Sequence, residues 1–303
     1  MRREPVTLVE KECRTALNPV RGMPFDWSLN PYTGCEHRCT FCYVRAFERR
    51  ADRPADDRYG RTVLVKTNIV AVLRGELARR SWKRQPVVIG SATDPYQPAE
   101  GRYRLTRGCL QALHDFRTPT HVTTRGPMIV RDLDVLVALS RRVRVTVCVS
   151  VPSLDRDVVA RTEPGTAPPR QRLRALRTLV DAGVRAGVLM APILPGISDD
   201  PRALGDVLRA ARDSGAAFAG AGALRLAPGT REHFMEHLGA DWPEMVAEYR
   251  RLFGSRVGLP SSYTSALHDT VARLRDEVHL VDRPASFITP VPQPAQLRLS
   301  LAS

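Results

Sequence analysis

Seven apolar, strand-like runs separated by amphipathic helical patterns constrain this chain more than any other feature. The runs fall at 24–30, 62–66, 86–91, 119–124, 143–151, 185–192 and 217–226. Between them the apolar period changes to that of a helix. In 68–80, Ile69, Val72, Leu73 and Leu77 share one helical face, with Asn68 placed as the N-cap. In 200–212, Asp200 is placed as the cap and Pro201 suits the first turn. Leu204, Val207, Leu208 and Ala211 form its stripe, and Leu173, Leu176, Leu179 and Val180 form that of 170–182. Strand then helix, repeated about six times, predicts parallel strands joined by right-handed crossovers.

An open doubly wound sheet and a barrel both satisfy that rhythm, and one strand favours the second. In 143–151 every odd residue is valine, while Arg144, Thr146, Cys148 and Ser150 share the other face. A parallel strand buried on both sides is apolar on both. One apolar and one polar face suits a barrel-like sheet with helices outside and a polar ligand in its lumen, bound at the C-terminal strand ends. Residues 1–23 read as a polar, irregular N-terminal extension and 24–228 as the core. Residues 229–282 read as a helical C-terminal extension, with helices at 231–238, 242–253 and 262–279. The proline-rich 283–303 reads as a flexible tail.

No run in the 303 residues approaches the roughly 18 apolar residues of a membrane helix, and the start, Met-Arg-Arg-Glu-Pro, lacks an export signal. A cytoplasmic protein is expected. There, six cysteines point to metal or reactive thiols before disulfides. The net charge of +14 rests on arginine, with lysine only at 11, 66 and 83. Either an arginine-rich composition or a surface for nucleic acid accounts for it, and no basic block decides between them.

Three cysteines crowd into Asn30-Pro-Tyr-Thr-Gly-Cys-Glu-His-Arg-Cys-Thr-Phe-Cys-Tyr43. Thiolates of Cys35, Cys39 and Cys42, spaced C-x3-C-x2-C, can close around three irons of a cubane and leave the fourth without a protein ligand. The competing reading is structural zinc with His37 or a distant fourth ligand. Zinc loops favour C-x2-C pairs repeated at a distance, and no second pair is present. His37 itself reads as a solvent-facing loop residue. Cys109 reads as helix packing, and nothing supports a role for Cys13.

At these residues the sequence resembles the radical S-adenosylmethionine (SAM) superfamily, whose signature is C-x3-C-x-aromatic-C, with Phe41 at the aromatic position. Tyr43 and further motifs are similar to the spore photoproduct lyase-like branch. The resemblance runs from about 24 to 226 and implies a partial (β/α)6 TIM-like barrel, a [4Fe–4S] cluster, bound SAM and an external electron donor of flavodoxin or ferredoxin type. In Thr93-Asp-Pro-Tyr-Gln-Pro-Ala-Glu100 it sets Thr93 and Asp94 at the SAM amino group. In Thr123-Thr-Arg-Gly-Pro127 it gives Arg125 the SAM carboxylate, where the family usually has lysine, and Ser150 a hydroxyl toward the same carboxylate. Ala191 and Ile193, in Met190-Ala-Pro-Ile-Leu-Pro-Gly196, match backbone contacts to adenine. Arg161-Thr-Glu-Pro164 resembles an R-x-E-P loop that serves either the substrate or its own structure.

The pattern breaks at Ser91, where spore photoproduct lyase has its hydrogen-donating cysteine. An O–H bond is too strong for that step, so repair of spore photoproduct is not expected. Cys148, on the polar strand face, is the alternative thiol, or else a small buried residue. The tail Gln296-Leu-Arg-Leu-Ser-Leu301 resembles motifs that dock bacterial repair and replication proteins on the sliding clamp. The expected function is a radical SAM enzyme acting on an unidentified substrate, with nucleic acid first. The alternative is a non-catalytic nucleic-acid-binding protein with a structural cluster.

Overall fold

The computed structural model describes residues 6–280 and Asp282, apart from Gly22 and Pro24. The clamp-like segment 296–301 lies outside the described residues. The strands are β1 (Thr7–Lys11), β2 (Leu17–Pro19), β3 (Trp27–Leu29), β4 (Tyr32–Thr33), β5 (Thr62–Lys66), β6 (Val87–Ile89), β7 (Thr120–Thr124), β8 (Val145–Ser150), β9 (Ala186–Ile193) and β10 (Ala219–Ala223). The helices are α1 (Val44–Arg50), α2 (Ile69–Leu77), α3 (Ala99–Tyr103), α4 (Leu105–Asp115), α5 (Leu133–Ser140) and α6 (Arg156–Thr162). They continue with α7 (Pro169–Asp181), α8 (Pro201–Asp213), α9 (Thr230–Asp241), α10 (Val246–Phe253) and α11 (Ser261–Glu277).

The main sheet runs β2-β3-β6-β7-β8-β9-β10. Strands β3 and β6 to β10 are mutually parallel, and β2 is an antiparallel edge. This is the predicted six-stranded partial barrel, and among the described residues β2 and β10 do not pair to close it. The alternating run at 143–151 forms β8. Val145, Val147, Val149 and Val151 join the core with Leu110, Leu136, Leu176 and Leu208 of α4, α5, α7 and α8. Each fully buried valine or leucine there contributes about 1.5–3 kcal/mol. Cys148 lies beside Thr123 of β7 and Gly187 of β9, with Ser150 ending the strand. No helix among the described residues is long and apolar enough to cross a membrane.

Two expectations fail at the N-terminus. Residues 1–23 are not wholly irregular, because β1 pairs parallel with β5 and β2 pairs with β3. As a consequence the run at 62–66 forms no stave of the barrel but the centre of a second sheet, β1-β5-β4. The side chain of β1 is exposed at most positions, so its sequence lacks the alternation that marks a strand, and β5 supplies the order. Nor does Asn68 cap α2. Its Oδ1 accepts from Cys13 N at 2.8 Å and its Nδ2 donates to Cys13 O at 3.0 Å, so the side chain holds down the N-terminal segment instead. Asp200 does cap α8, accepting from Arg202 N and Ala203 N at 2.9 and 3.1 Å.

The C-terminal helices bury two faces. Leu267, Val271 and Leu274 of α11 join the main core. Phe234, Leu238, Tyr249 and Phe253 of α9 and α10 pack with Cys39 and Phe41 of the cysteine loop. The cysteine loop is therefore covered from behind by helices that lie far along the chain.

Candidate functional site

The three cysteines lie in a turn-rich loop between β4 and α1. Backbone bonds from Arg38 N to Cys35 O, Cys42 N to Cys39 O and Arg45 N to Cys42 O, at 3.3, 3.2 and 3.1 Å, coil the loop and run it into α1. Two close approaches require glycine. A Cβ on Gly60 would stand 2.2 Å from Cys35 O, and one on Gly165 would stand 2.3 Å from Glu36 O. Cys35 and Cys39 are buried, Cys42 is half-buried, and all three are free thiols. Burial holds the Cys39 thiol well above the usual thiol range against the pull of Arg125, and burial and Cys35 raise that of Cys42. Iron entering this loop has to displace those protons. Three thiols on one short, covered loop, with the Tyr59 hydroxyl 3.7 Å from Cys42 Sγ, fit an iron–sulfur cluster that keeps one iron free of protein ligands.

The loop is fastened to the end of β6. Thr93 Oγ1 donates to Gly34 O at 2.6 Å, and Gln97 Nε2 donates to Thr93 Oγ1 at 2.8 Å. Asp94 is the centre of the fastening. Its Oδ1 accepts from Tyr96 N at 2.9 Å and Thr124 Oγ1 at 2.6 Å, and its Oδ2 accepts from Arg125 N at 2.6 Å. His37 Nδ1 lies 3.3 Å from the same Oδ2. His37 is thus a buried partner of Asp94, which corrects its expected exposure to solvent. Burial alone lowers the His37 pKa, but Asp94 and Cys35 outweigh it and raise the imidazole to about 10. Burial likewise opposes ionisation of Asp94, and His37 with the hydrogen bonds brings it to about 2. Nothing in the alternation of residues around His37 marks it as inward-facing. At the far end of the polar string, Glu100 accepts from Tyr32 Oη at 2.5 Å and Thr106 N at 3.0 Å and pairs with Arg131 at 2.7 Å.

Arg125 follows the end of β7. Its Nε donates to Glu163 Oε1 at 3.0 Å, its Nη2 to Ala191 O at 3.0 Å, and its guanidinium stands 5.5 Å from the Phe41 ring centroid. Glu163 is fully buried between Arg125 and Arg172, and Arg172 Nη1 also donates to Ser150 O at 3.0 Å. Burial opposes charge on Glu163, yet Arg172 and Arg125 keep it below the usual carboxylate range. Glu163 is the third residue of the R-x-E-P loop, so that loop has a structural task, which the letters alone left open. The partnership itself had no local signal in the sequence.

Arg125, Ser150 and Ala191 are thereby brought together, with Ser150 Oγ 3.4 Å from Ala191 O. Ile193 is fully buried and its carbonyl accepts from Leu224 N at 3.2 Å. Tyr43 is part exposed, its hydroxyl donates to Ser91 O, and its ring meets Phe47 edge-on at 5.7 Å. Ser91 Oγ accepts from Asn30 Nδ2 at 3.3 Å. Cys148 is buried outside the cluster that holds the β8 valines, and burial pushes its thiol up to about 12. Cys109 is fully buried in α4, as expected.

The family model of the radical SAM superfamily matches residues 29–206. An uncharacterised protein of Mycobacterium tuberculosis (strain H37Rv) is 38% identical over 276 residues, covering 89% of this chain and 80% of that protein. One from Methanocaldococcus jannaschii is 23% identical over 201 residues, covering 66% of this chain and 73% of that protein. Among solved structures, a spore photoproduct lyase variant with bound AdoMet and dinucleoside spore photoproduct is similar with a TM-score of 0.69 at 17% identity, over 90% of this chain and 79% of that one. That likeness shows the shared fold. The family match spans more than half of the chain, including all three loop cysteines and the strand ends that carry Asp94, Arg125 and Ser150. This chain belongs to the radical SAM superfamily and is a radical SAM enzyme.

Proposed function

We propose that this chain holds a [4Fe–4S] cluster through Cys35, Cys39 and Cys42 and cleaves SAM reductively, directing a 5′-deoxyadenosyl radical at a nucleic-acid substrate. The observation that carries this reading is the buried chain of contacts joining the cysteine loop to the ends of β6, β7 and β9 through Asp94 and Arg125. When bound, the cluster supplies one electron to the SAM sulfonium, and an external flavodoxin- or ferredoxin-type donor restores it. The residues of the chain bind and orient. Two N–H groups of Arg125 are taken by Glu163 and Ala191 O, and the rest of its five-donor fork serves the SAM carboxylate together with the Ser150 hydroxyl. Because Glu163 is shared with Arg172, the group keeps a net positive charge toward that anion.

Thr93 and Asp94 spend their side-chain oxygens on protein partners, so we assign them to fixing the strand end at which the SAM amino group is received. Tyr43 is assigned to the same side of the pocket. The adenine is assigned to the β9 end at Ala191 and Ile193, the positions given by the family resemblance. Nucleic acid as substrate rests on the charge of +14 and on the similar fold of a spore photoproduct lyase bound to a dinucleoside. Ser91 argues against spore photoproduct itself. Cys148 is assigned as the hydrogen-atom donor, a buried thiol two residues before Ser150 on β8.

Anaerobic reconstitution with reductant and SAM tests the reading. The wild type is expected to release 5′-deoxyadenosine, and Cys39→Ala to release none. A wild type that carries cluster iron but never cleaves SAM would instead leave a nucleic-acid-binding protein with a structural cluster.

A further inference from the structure

His233 and His237 stand one turn apart on α9, and Asp57, in the turn-rich segment after α1, meets them. Asp57 Oδ1 lies 3.8 Å from His233 Nδ1 and 3.6 Å from His237 Nε2, and the ligand atoms of the three side chains all fall within 4.8 Å of one another. Those separations are too long for hydrogen bonds. His237 Nδ1 is 3.0 Å from His233 O. A carbonyl only accepts, so Nδ1 carries the proton, and Nε2 is left to face Asp57 with its lone pair.

His233 supplies the second, independent observation. It is 4% exposed, and its Nδ1 is buried with no hydrogen-bond partner while aimed at the Asp57 carboxylate. Buried polar atoms are nearly always satisfied, so an orphan of this kind calls for something between the donors. A cation bonded at about 2.0–2.2 Å to two imidazoles and a carboxylate in tetrahedral geometry holds its donor atoms about 3.4 Å apart. The distances from Asp57 exceed that by only a few tenths of an ångström.

We propose that Asp57, His233 and His237 form a second metal site, separate from the cysteine loop, for a first-row divalent cation of the Zn2+ type. Two imidazoles and one carboxylate suit a borderline cation better than a hard one such as Ca2+, and two histidines at i, i+4 present both nitrogens on one helix face. Asp57 is 56% exposed at its side chain and His237 31%, so the cation enters from solvent and keeps a position for water. The site joins two segments that both touch Cys42. Thr230, at the start of α9, donates to Cys42 O at 3.1 Å, and Tyr59, two residues beyond Asp57, places its hydroxyl 3.7 Å from Cys42 Sγ. A cation here staples α9 to the segment behind the cysteine loop and acts as a positioning element.

The test is anaerobic calorimetric titration of Zn2+ into cluster-loaded protein, with iron and zinc counted by mass spectrometry. The wild type is expected to take up one Zn2+ per chain with its iron content unchanged and to gain thermal stability. Asp57→Asn and His237→Ala are each expected to weaken that uptake by about tenfold or more and to lose the thermal gain, with iron content equal to wild type. The Asp57 side chain is exposed, and a melt of Asp57→Asn without zinc verifies its fold. Absence of zinc uptake by the wild type, equal affinity in both variants, or uptake at the expense of iron overturns the proposal. Zinc uptake and SAM cleavage are separate readouts, so failure of one leaves the other standing.

Discussion

Two opposing titrations meet at Asp94. Its carboxyl falls from an unfolded value of ~3.9 to about 2, so its stabilising contribution is whole above pH ~4 and is lost as pH falls toward 2. His37 rises from an unfolded ~6.5 to about 10, so its contribution is whole below pH ~6.5 and is lost as pH climbs toward 10. The pair therefore stabilises most between pH ~4 and ~6.5. His37→Gln is expected to cost about 3 kcal/mol at pH 6, because it takes the positive charge of His37 away from a buried carboxylate, and clearly less at pH 9.5. Thermal melts of the two proteins at both pH values check this, and a difference that does not shrink with pH contradicts an ionic pair. At Cys148, replacement by alanine is expected to leave 5′-deoxyadenosine release near wild type while product formation drops by about tenfold or more. In D2O the wild-type product acquires deuterium from the exchangeable thiol, and a merely structural cysteine would leave that labelling unchanged in the variant. The loop cysteines stand out in the sequence because all three fall within eight consecutive residues. Glu163 could not, since its partner Arg125 lies 38 residues away and no periodicity links them.

At the scale of elements, the N-terminal segment depends on two side chains of the α2 region. Asn68 binds both backbone groups of Cys13, and Glu76 accepts from Leu17 N at 2.8 Å and from Ala16 N at 3.2 Å. Asn68→Ala leaves the two Cys13 backbone groups unpaired and is expected to cost about 1–3 kcal/mol. The loss should appear as faster amide exchange in residues 7–13, with β7 and β8 unchanged, when hydrogen exchange is read by mass spectrometry. Equal protection of β1 in both proteins would mean that β5 alone holds it. The same contacts explain why the second sheet was hidden. The helical stripes of α2, α7 and α8 and the valines of β8 repeat often enough to be read locally, because each faces one core. Strand β1 is ordered through its backbone edge by a partner about fifty residues on, and Asn68 at a helix start looks like a cap until Cys13 is brought to it.

Over the whole molecule, arginine serves two purposes that composition does not separate. Arg125, Arg131 and Arg172 are spent on buried carboxylates, and Arg45, also buried, donates to Ala55 O and Asp56 O. Such pairing organises the interior without changing the net charge, which stays at +14. Seen from a distance greater than the spacing of its ion pairs, the protein is a strong cation, and a polyanion is drawn to it through released counterions. Binding to short single- and double-stranded DNA is therefore expected at low salt, with little dependence on sequence. For six or more phosphate contacts the affinity should fall by about 10³-fold or more between 50 and 200 mM salt. Fluorescence anisotropy across that range measures the slope. A slope near zero would mean that the arginines are absorbed by the fold, and the substrate would then have to be sought among uncharged molecules.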